Sequence, residues 1–462
     1  MTNIHSKEIT GNRWILFLAI PAVIENFFQT VIGFVDTLFI SKIGVVEVSA
    51  VGVTNAVLQV YFAVFMAIGI AVNIYIARYT GANDRKSTEN TVWQSIYLAV
   101  FSGLLLGCMT LFFAEPLLQL MGAEEAVIQA GTLYFQIIAI PSVILALSFV
   151  LASIIRGTGD TKTPMKVSIW INIIHVFLDY IFIFGFLFIP EMGIVGAAVA
   201  TVIVRLIGVI WLFIIIYKRL LKEDMNTDMN TFKFKPINWR LMKKLLVVGT
   251  PAAGERLIMR IGQVLYFGII VSLGTATFAA HQIAGSIEVF SYMIGYGFAT
   301  AATTIVGQLI GADEFHKAKK YAQDCVWIAV GFMSVIGLLL FIGAEPVALL
   351  FTSDGNVLSQ IVIALRIDAF IQPVLAVVLV LTGVYQGGGN TKTPMYATTI
   401  GIWLIRTVGV YLLGVSFGLG IAGVWVAIFF DNLFRAIWLY WQFHKNRWTK
   451  AIDKEDLKEQ QI

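Results

Sequence analysis

The residues in this sequence best placed to do chemistry are carboxylates embedded in apolar runs. Asp36 sits deep in one such run, and the preceding acid is Glu25, eleven residues earlier. A carboxylate at that depth is costly in lipid, so it must face protein or water and is a functional candidate; the plain alternative is an acid satisfied by a neighbouring helix. At about 100° per residue, Gln29 and Glu25 fall on nearly the same helical stripe as Asp36, a polar wall suited to a cavity or an ion path. Further on, Asn172, His175 and Asp179 are spaced by three and four, which places all three on one helix face. A histidine one turn from a carboxylate can pair with it, titrate near neutral pH, or simply donate to a backbone carbonyl in the core.

The second half of the chain carries different chemistry. Arg256, Arg260, Arg406 and Arg435 lie in apolar runs, with Glu255, Asp368 and Asp431 as available partners. Asp431 and Arg435 are four apart, the spacing of a direct helical pair, and Arg256 and Arg260 share a face with Gln263. These arginines either neutralise local acids and lock helices, or form a basic cavity wall that favours zwitterionic and anionic amphiphiles. Glu25, Gln29, Glu255, Arg256, Arg260, Gln263 and Tyr266 are the candidate cavity residues. Pro21 and Pro251 each remove a backbone hydrogen bond inside a helix, giving a hinge or a static kink.

The elements that must position these groups are membrane helices. Of 462 residues, 58% are hydrophobic and 13% charged, with a mean hydropathy of +0.83. A soluble chain carries about 25% charged residues, so a soluble enzyme, a DNA-binding protein and a disordered scaffold are excluded. A span needs about 20 mostly apolar residues, and an isolated strand would leave backbone groups unpaired in lipid. The runs fall at about 14–40, 46–77, 92–113, 131–155, 165–189, 193–217, 244–272, 276–308, 322–343, 361–385, 395–417 and 420–443, roughly twelve helices by that criterion. Cys108 and Cys325 both lie inside such runs, which argues against disulfides, zinc sites and cysteine redox chemistry. The N-terminus is polar up to Arg13 and carries no signal peptide pattern. No nucleophile–base pair stands out, so no enzyme activity is expected. No nucleotide-binding domain stands out either, so a gradient rather than ATP must drive any transport.

Lys and Arg set the orientation. The loop between spans six and seven carries Lys218, Arg219, Lys222, Lys233, Lys235, Arg240, Lys243 and Lys244. Arg78, Arg85, Lys86, Arg156, Lys162, Lys166, Lys317, Lys319, Lys320 and Lys392 fall on the same side, with Lys42 the clear exception. Both termini and the central loop are therefore expected in the cytoplasm.

The chain also repeats itself. RGTGDTKTPM (Arg156 to Met165) returns as QGGGNTKTPM (Gln386 to Met395), and the same offset of 230 relates Pro21 to Pro251, Glu25 to Glu255 and Gly44 to Gly274. That offset puts Tyr266 where the first half has Asp36. Six spans per half give both halves the same orientation, hence an all-α polytopic fold of two six-helix bundles related by a pseudo-two-fold axis along the membrane normal, suited to alternating access. The expected limits are 1–217 for the N-terminal bundle, 218–243 for a basic cytoplasmic linker, 244–443 for the C-terminal bundle and 444–462 for a charged cytoplasmic tail. A duplication kept only for packing is the bland alternative. The repeated Gly-rich loop lacks the ending of a phosphate loop and reads as a turn between spans.

RGTGDTKTP, QGGGNTKTP, AAHQIA (Ala279 to Ala284) and VDTLFISKIG (Val35 to Gly44) together resemble the multidrug and toxic compound extrusion (MATE) family, above all its DinF-like branch. The likeness runs over about residues 14–443. It implies a secondary exporter that expels amphipathic organic compounds in exchange for H+ or Na+, with no other cofactor. A related branch of flippases for lipid-linked precursors supplies the alternative. Under this resemblance Asp36 occupies the acidic position of the first helix associated with cation coupling, Asp179 lies in LDYIFIFG against the family pattern LDxxFIFG, and Thr201 matches a hydroxyl position. His175 departs from the family, which usually has Asn there. The implied cation site is Asp36, Asn172, His175, Asp179 and Thr201, with Na+ possible at Asp36 and Asp179 and no other metal. Glu255 and Asp368 do not fall where the sodium-coupled NorM-like branch places its acids, which favours protons. The implied setting is the inner membrane of a bacterium, as a multi-pass monomer with small amphipathic substrates and no nucleic acid partner.

Overall fold

A computed structural model describes residues 11–221 and 234–449, leaving Lys222 and Lys233 of the basic linker, and the tail beyond 449, outside the described residues. The first half forms α1 (Asn12–Ser41), α2 (Val45–Gly81), α3 (Arg85–Leu120), α4 (Glu125–Ala139), α5 (Ser142–Gly157), α6 (Lys162–Phe184) and α7 (Gly193–Ile216). The second half forms α8 (Trp239–Ser272), α9 (Thr275–Gly311), α10 (Phe315–Leu349), α11 (Gly355–Gly387), α12 (Lys392–Thr399), α13 (Thr407–Gly409) and α14 (Gly420–His444). Two π-helical turns, Ile400–Arg406 and Val410–Ser416, join α12 and α13 into one element ending at Ser416. Ten of these elements are long and apolar enough to cross a bilayer, and the bent pair α4–α5 makes 11. The twelfth is α8, at 34 residues long enough to span but enriched in charge by Arg240, Lys243, Lys244, Glu255, Arg256 and Arg260. Twelve spans, all helical, is the expected fold class.

The duplication is visible element by element. Helices α2 and α9 are both 37 residues long. Each ends in a turn closed by a short polar residue in the left-handed region, Asn83 (φ 55°) and Asp313 (φ 62°), residue types that tolerate it by local hydrogen bonding. Gly159 (φ 88°) and Gly389 (φ 75°) turn the two copies of the Gly-rich loop. Gly157 packs against Ile76 and the Asn73 carbonyl, and Gly387 packs against Val306 and Thr303 in the same way. A Cβ at Gly383 would strike the Ala299 carbonyl, and the missing side chain lets Thr303 Oγ1 donate to the Gly383 carbonyl at 2.9 Å. Small residues draw the backbones of α9 and α11 together, the usual device where lipid gives no hydrophobic drive between helices.

The chain divides into two compact units, Ile24–Ala253 and Met1–Val23 with Gly254–Ile462. The changeovers lie 230 residues apart, within α1 and α8, and each follows two residues after a proline, Pro21 or Pro251. The first turns of α1 thus belong to the unit of the second half: Ile15, Leu18 and Ala19 join its apolar core, and Trp14 meets Tyr321 edge-on at 5.3 Å. The lead into α8 belongs to the other unit, where Gln94 receives the Asn238 N–H at 2.8 Å and donates to the Pro236 carbonyl at 2.9 Å.

Two spans differ from plain apolar helices. The fourth, expected as one run over 131–155, breaks between α4 and α5 with a 49° bend. Pro141 has no N–H to offer, and the Ser142 hydroxyl takes the carbonyl of Ala139 that the break leaves open. The eleventh, expected at 395–417, winds through its π-helical turns, while its counterpart α6 stays regular.

Candidate functional site

In the unit Ile24–Ala253, α1 supplies Asp36, α6 supplies Asn172, His175 and Asp179 from one face, and α7 supplies Thr201. His175 is the hub. Its Nε2 lies 3.4 Å from Asp179 Oδ2 and 3.2 Å from Thr201 Oγ1, and its Nδ1 lies 3.9 Å from Asp36 Oδ1. One ligating atom from each of Asp36, His175 and Asp179 falls within 4.8 Å of the others. The environments are graded: the side chains of Asp36, His175 and Asp179 are 29%, 9% and 1% exposed.

Proton positions follow from the partners. Thr201 donates its hydroxyl hydrogen to the Ala197 carbonyl at 2.9 Å, so its oxygen can only accept from His175. Nε2 therefore carries a hydrogen, and Nδ1 turns toward Asp36. A bare Nδ1 lone pair facing a carboxylate would be repulsive, so the arrangement calls for a proton on one of the two. No donor satisfies either oxygen of Asp179 or Oδ1 of Asp36, and no acceptor takes Asn172 Nδ2, among the described residues. Buried carboxylate oxygens left open in this way could accept a cation or a proton. Sodium, a hard ion, would find oxygen ligands in Asp36 and Asp179 but a nitrogen at the centre.

Glu25, expected on the cavity stripe, is 5% exposed and paired with Arg156 at 2.8 Å, while Gln29 is exposed on α1.

In the other unit most of the buried charges have a partner, although Oδ1 of the buried Asp368 has none among the described residues. Asp431 is fully buried and receives two arginines, Arg406 Nη2 at 2.7 Å and Arg435 Nε at 2.9 Å; Arg435 also donates to Asn432 at 3.0 Å. Glu255 accepts from Thr398 Oγ1 at 2.9 Å. Arg256 donates to the Tyr296 hydroxyl at 2.7 Å, Arg260 to Gln263 at 3.0 Å, and Gln372 to the buried Asp368 at 2.9 Å. Tyr266, at the position equivalent to Asp36, is buried with the Arg406 guanidinium 5.5 Å from its ring. The pairing of Asp431 with Arg435 and the contact of Arg260 with Gln263 were both readable from spacing.

The model of the MatE family matches residues 21–181 and 251–412, one stretch in each half. The chain belongs to the MatE family. It is 31% identical over 445 residues to the probable multidrug resistance protein NorM of Thermotoga maritima, covering 96% of this chain and 94% of that one. It is 26% identical to the uncharacterized transporter YisQ of Bacillus subtilis, with 93% of each chain covered. Among solved structures, a MATE protein in a bent conformation superposes with a TM-score of 0.86 at 23% identity, over 96% of this chain and 97% of that one. A MATE protein in a straight conformation gives 0.85 at 24%, over 95% and 97%. The expected family and its multi-pass membrane character therefore hold.

Three groups of this MatE chain escaped the sequence reading. Arg205 on α7, one turn beyond Thr201, stands alone in VIVRLIGVI, and a single intramembrane arginine was signal enough. Glu288 on α9 faces Arg406, Arg435 and Asp368 across helices, and its neighbours in sequence gave no pattern. Tyr134 on α4 is buried near Asp36 and Arg205, and a lone tyrosine in a span reads as packing until the fold is known.

Proposed function

We propose that this protein is a secondary exporter of amphipathic organic compounds, driven by inward flow of protons and seated in a bacterial cytoplasmic membrane. The observation that carries the reading is the cluster of Asp36, His175 and Asp179, with carboxylate atoms unsatisfied inside a membrane bundle. Such a cluster binds a cation and substrate in competition: protonation removes the charge that would hold a cationic group, and deprotonation restores it. Thr201 accepts from the histidine and positions it, and Asn172 adds a buried amide to the polar wall. Nitrogen at the centre of the cluster supports protons over sodium.

Pro21 lies two residues before the point where α1 passes from one compact unit to the other. Bending there is the hinge by which alternating access would change the exposure of Asp36, and Pro251 provides the equivalent joint in α8. Basic loops on one side support a cytoplasmic location for both termini.

The test is efflux of a cationic dye from proteoliposomes under an imposed proton gradient, then under a sodium gradient, for wild type and Asp36→Asn. Proton-driven efflux abolished by the substitution is the expected result. Sodium-driven efflux would overturn the proton assignment. Absence of efflux under both gradients would replace the exporter with a flippase for lipid-linked precursors.

A further inference from the structure

Protons and sodium do not exhaust what the cluster on α1 and α6 can hold. The offset of 230 puts Tyr266, Ile405 and Gly409 where the first half has Asp36, His175 and Asp179. The second copy of the scaffold is thus built without a carboxylate or an imidazole at any of the three positions, and packing alone does not call for them. In the first copy, one ligating atom from each residue lies within 4.8 Å of the others. Asp179 supplies its carboxylate from full burial, with a side chain 1% exposed and neither oxygen hydrogen-bonded among the described residues. An acid held so deep is costly unless something binds to it.

An imidazole nitrogen beside two carboxylates is the donor set of a divalent transition ion rather than of an alkali or alkaline-earth ion. Two carboxylates carry two negative charges, which one divalent cation cancels and one sodium ion does not, and an apolar span penalises the residual charge. Arg205 on α7 lies within electrostatic reach of Asp36 but pairs with neither acid, so it weakens the pull on a cation without taking a ligand from it. Thr201 acts as an outer-sphere partner acts at a metal centre. It accepts from Nε2, which fixes the tautomer and leaves the Nδ1 lone pair on the side of Asp36. Metal–ligand bonds of about 2.1 Å at tetrahedral angles put ligand atoms about 3.4 Å apart. Nδ1 and Asp36 Oδ1 are 3.9 Å apart, so closing on an ion takes a side-chain shift of about half an ångström. Three protein ligands leave a fourth position for water, and Asp36, at 29% exposure, is the side from which an ion can enter.

We propose that Asp36, His175 and Asp179 bind one divalent transition cation of the zinc or cobalt type, which takes the place of the coupling ion and arrests transport. The site goes beyond the expectation of no metal other than sodium, and His175, the residue that makes it, is the one that departs from the family. The arrest, though not the binding, rests on the exporter reading above.

The test titrates Co2+ into the purified, tag-free full chain in nanodiscs after stripping with a chelator. The visible absorption of Co2+, strong only at low coordination number, reports binding independently of transport. Wild type should give a saturable band at one equivalent, bleached by Zn2+ but not by excess sodium, and Zn2+ should raise the melting temperature by mass action. Thr201→Val, which removes the hydroxyl behind the imidazole and no ligand, should weaken Co2+ binding about tenfold, where a merely structural threonine would leave it unchanged. His175→Asn and Asp179→Asn, which remove ligands, should each weaken it more. A wild type without a saturable band, or a band that keeps its affinity in His175→Asn and Asp179→Asn, overturns the proposal. In proteoliposomes Zn2+ should halve gradient-driven efflux near its own dissociation constant, and the efflux that His175→Asn retains should be insensitive to it. Binding as expected with efflux untouched by Zn2+ overturns the arrest. Binding as expected with no efflux under any gradient overturns the exporter reading alone.

Discussion

The two halves of this chain were built from one ancestral pattern and have been given different electrostatics. In the unit Ile24–Ala253, acids and a histidine converge without enough donors, and an arginine stands by unpaired. In the other unit Asp431 ties Arg406 to Arg435, and Tyr266 replaces the acid at the position of Asp36. A buried ion that is paired holds helices in register; a buried acid left open has a cost that only binding can repay. The comparison teaches that the duplicated scaffold does not dictate chemistry. Under the function proposed above, one copy is the working half and the other the brace.

The largest expected effect would break that division outright. Asp179→Asn should reduce gradient-driven efflux to the passive leak, because the cluster loses its most buried proton acceptor, whereas Tyr266→Phe in the other copy should leave more than about half of the wild-type rate. Initial rates in proteoliposomes, normalised to inserted protein, measure both. Equal losses from the two substitutions would mean that the halves are not functionally divided.

Stability should show the reverse order. Asp431→Asn leaves two buried guanidinium groups without their shared partner, and removing one side of a buried pair costs about 3–5 kcal/mol. Asp179→Asn removes an acid with no donor and should cost less than about 1 kcal/mol or even stabilise. Thermal unfolding in the same detergent orders the two variants, and a brace role for Asp431 fails if its variant melts no lower than that of Asp179.

The contrast was partly legible in the sequence. Helices, their number and the offset of 230 followed from apolar run length and self-comparison, because lipid permits little else. The convergence of Asn172, His175 and Asp179 followed from helical periodicity within one element. Convergence between elements did not. That Asp36 approaches His175, that Glu25 is bound to Arg156, and that Glu288 faces Asp368 depend on how helices pack, which periodicity leaves open. The break at Pro141 was hidden for another reason, since the residues on both sides remain apolar and a hydropathy window runs straight through them.

His175 sharpens the comparison at a smaller scale. His175→Asn replaces nitrogen with an amide oxygen facing Asp36 and Asp179, giving a hard cation a better ligand set. Sodium should then stimulate efflux several-fold more than in wild type, and the dependence of rate on pH should change as the imidazole is lost. Efflux at a series of pH values with and without sodium checks both.

The smallest effect compares the two copies of the Gly-rich loop outside the membrane. Asp160 caps α6 by accepting from the Thr163 N–H at 2.9 Å and from its hydroxyl at 2.5 Å, and it pairs with Arg219 at 2.6 Å. Partial burial pushes its carboxyl upward, but the hydrogen bonds from Thr163 and the neighbouring Arg219 outweigh that and hold it below the usual range. Asn390 in the second copy accepts from the Thr393 N–H at 3.3 Å and donates to the Arg447 carbonyl at 2.8 Å, doing the same anchoring without a charge. A depressed carboxyl contributes stability that is fully present above its unfolded value near pH ~4 and is lost as pH falls through the lower folded value. With Arg219 57% exposed, solvent screening keeps that contribution to about 1 kcal/mol or less. Asp160→Asn, which copies the second loop, should therefore lower the melting temperature by a degree or two at about pH 7 and by less as the pH is taken below ~4. Asn390→Asp should add no comparable acid-sensitive increment, because the partner there is a carbonyl, which would repel the new carboxylate. Melting curves of the two reciprocal variants across that pH range decide whether the charge, rather than the cap, separates the copies.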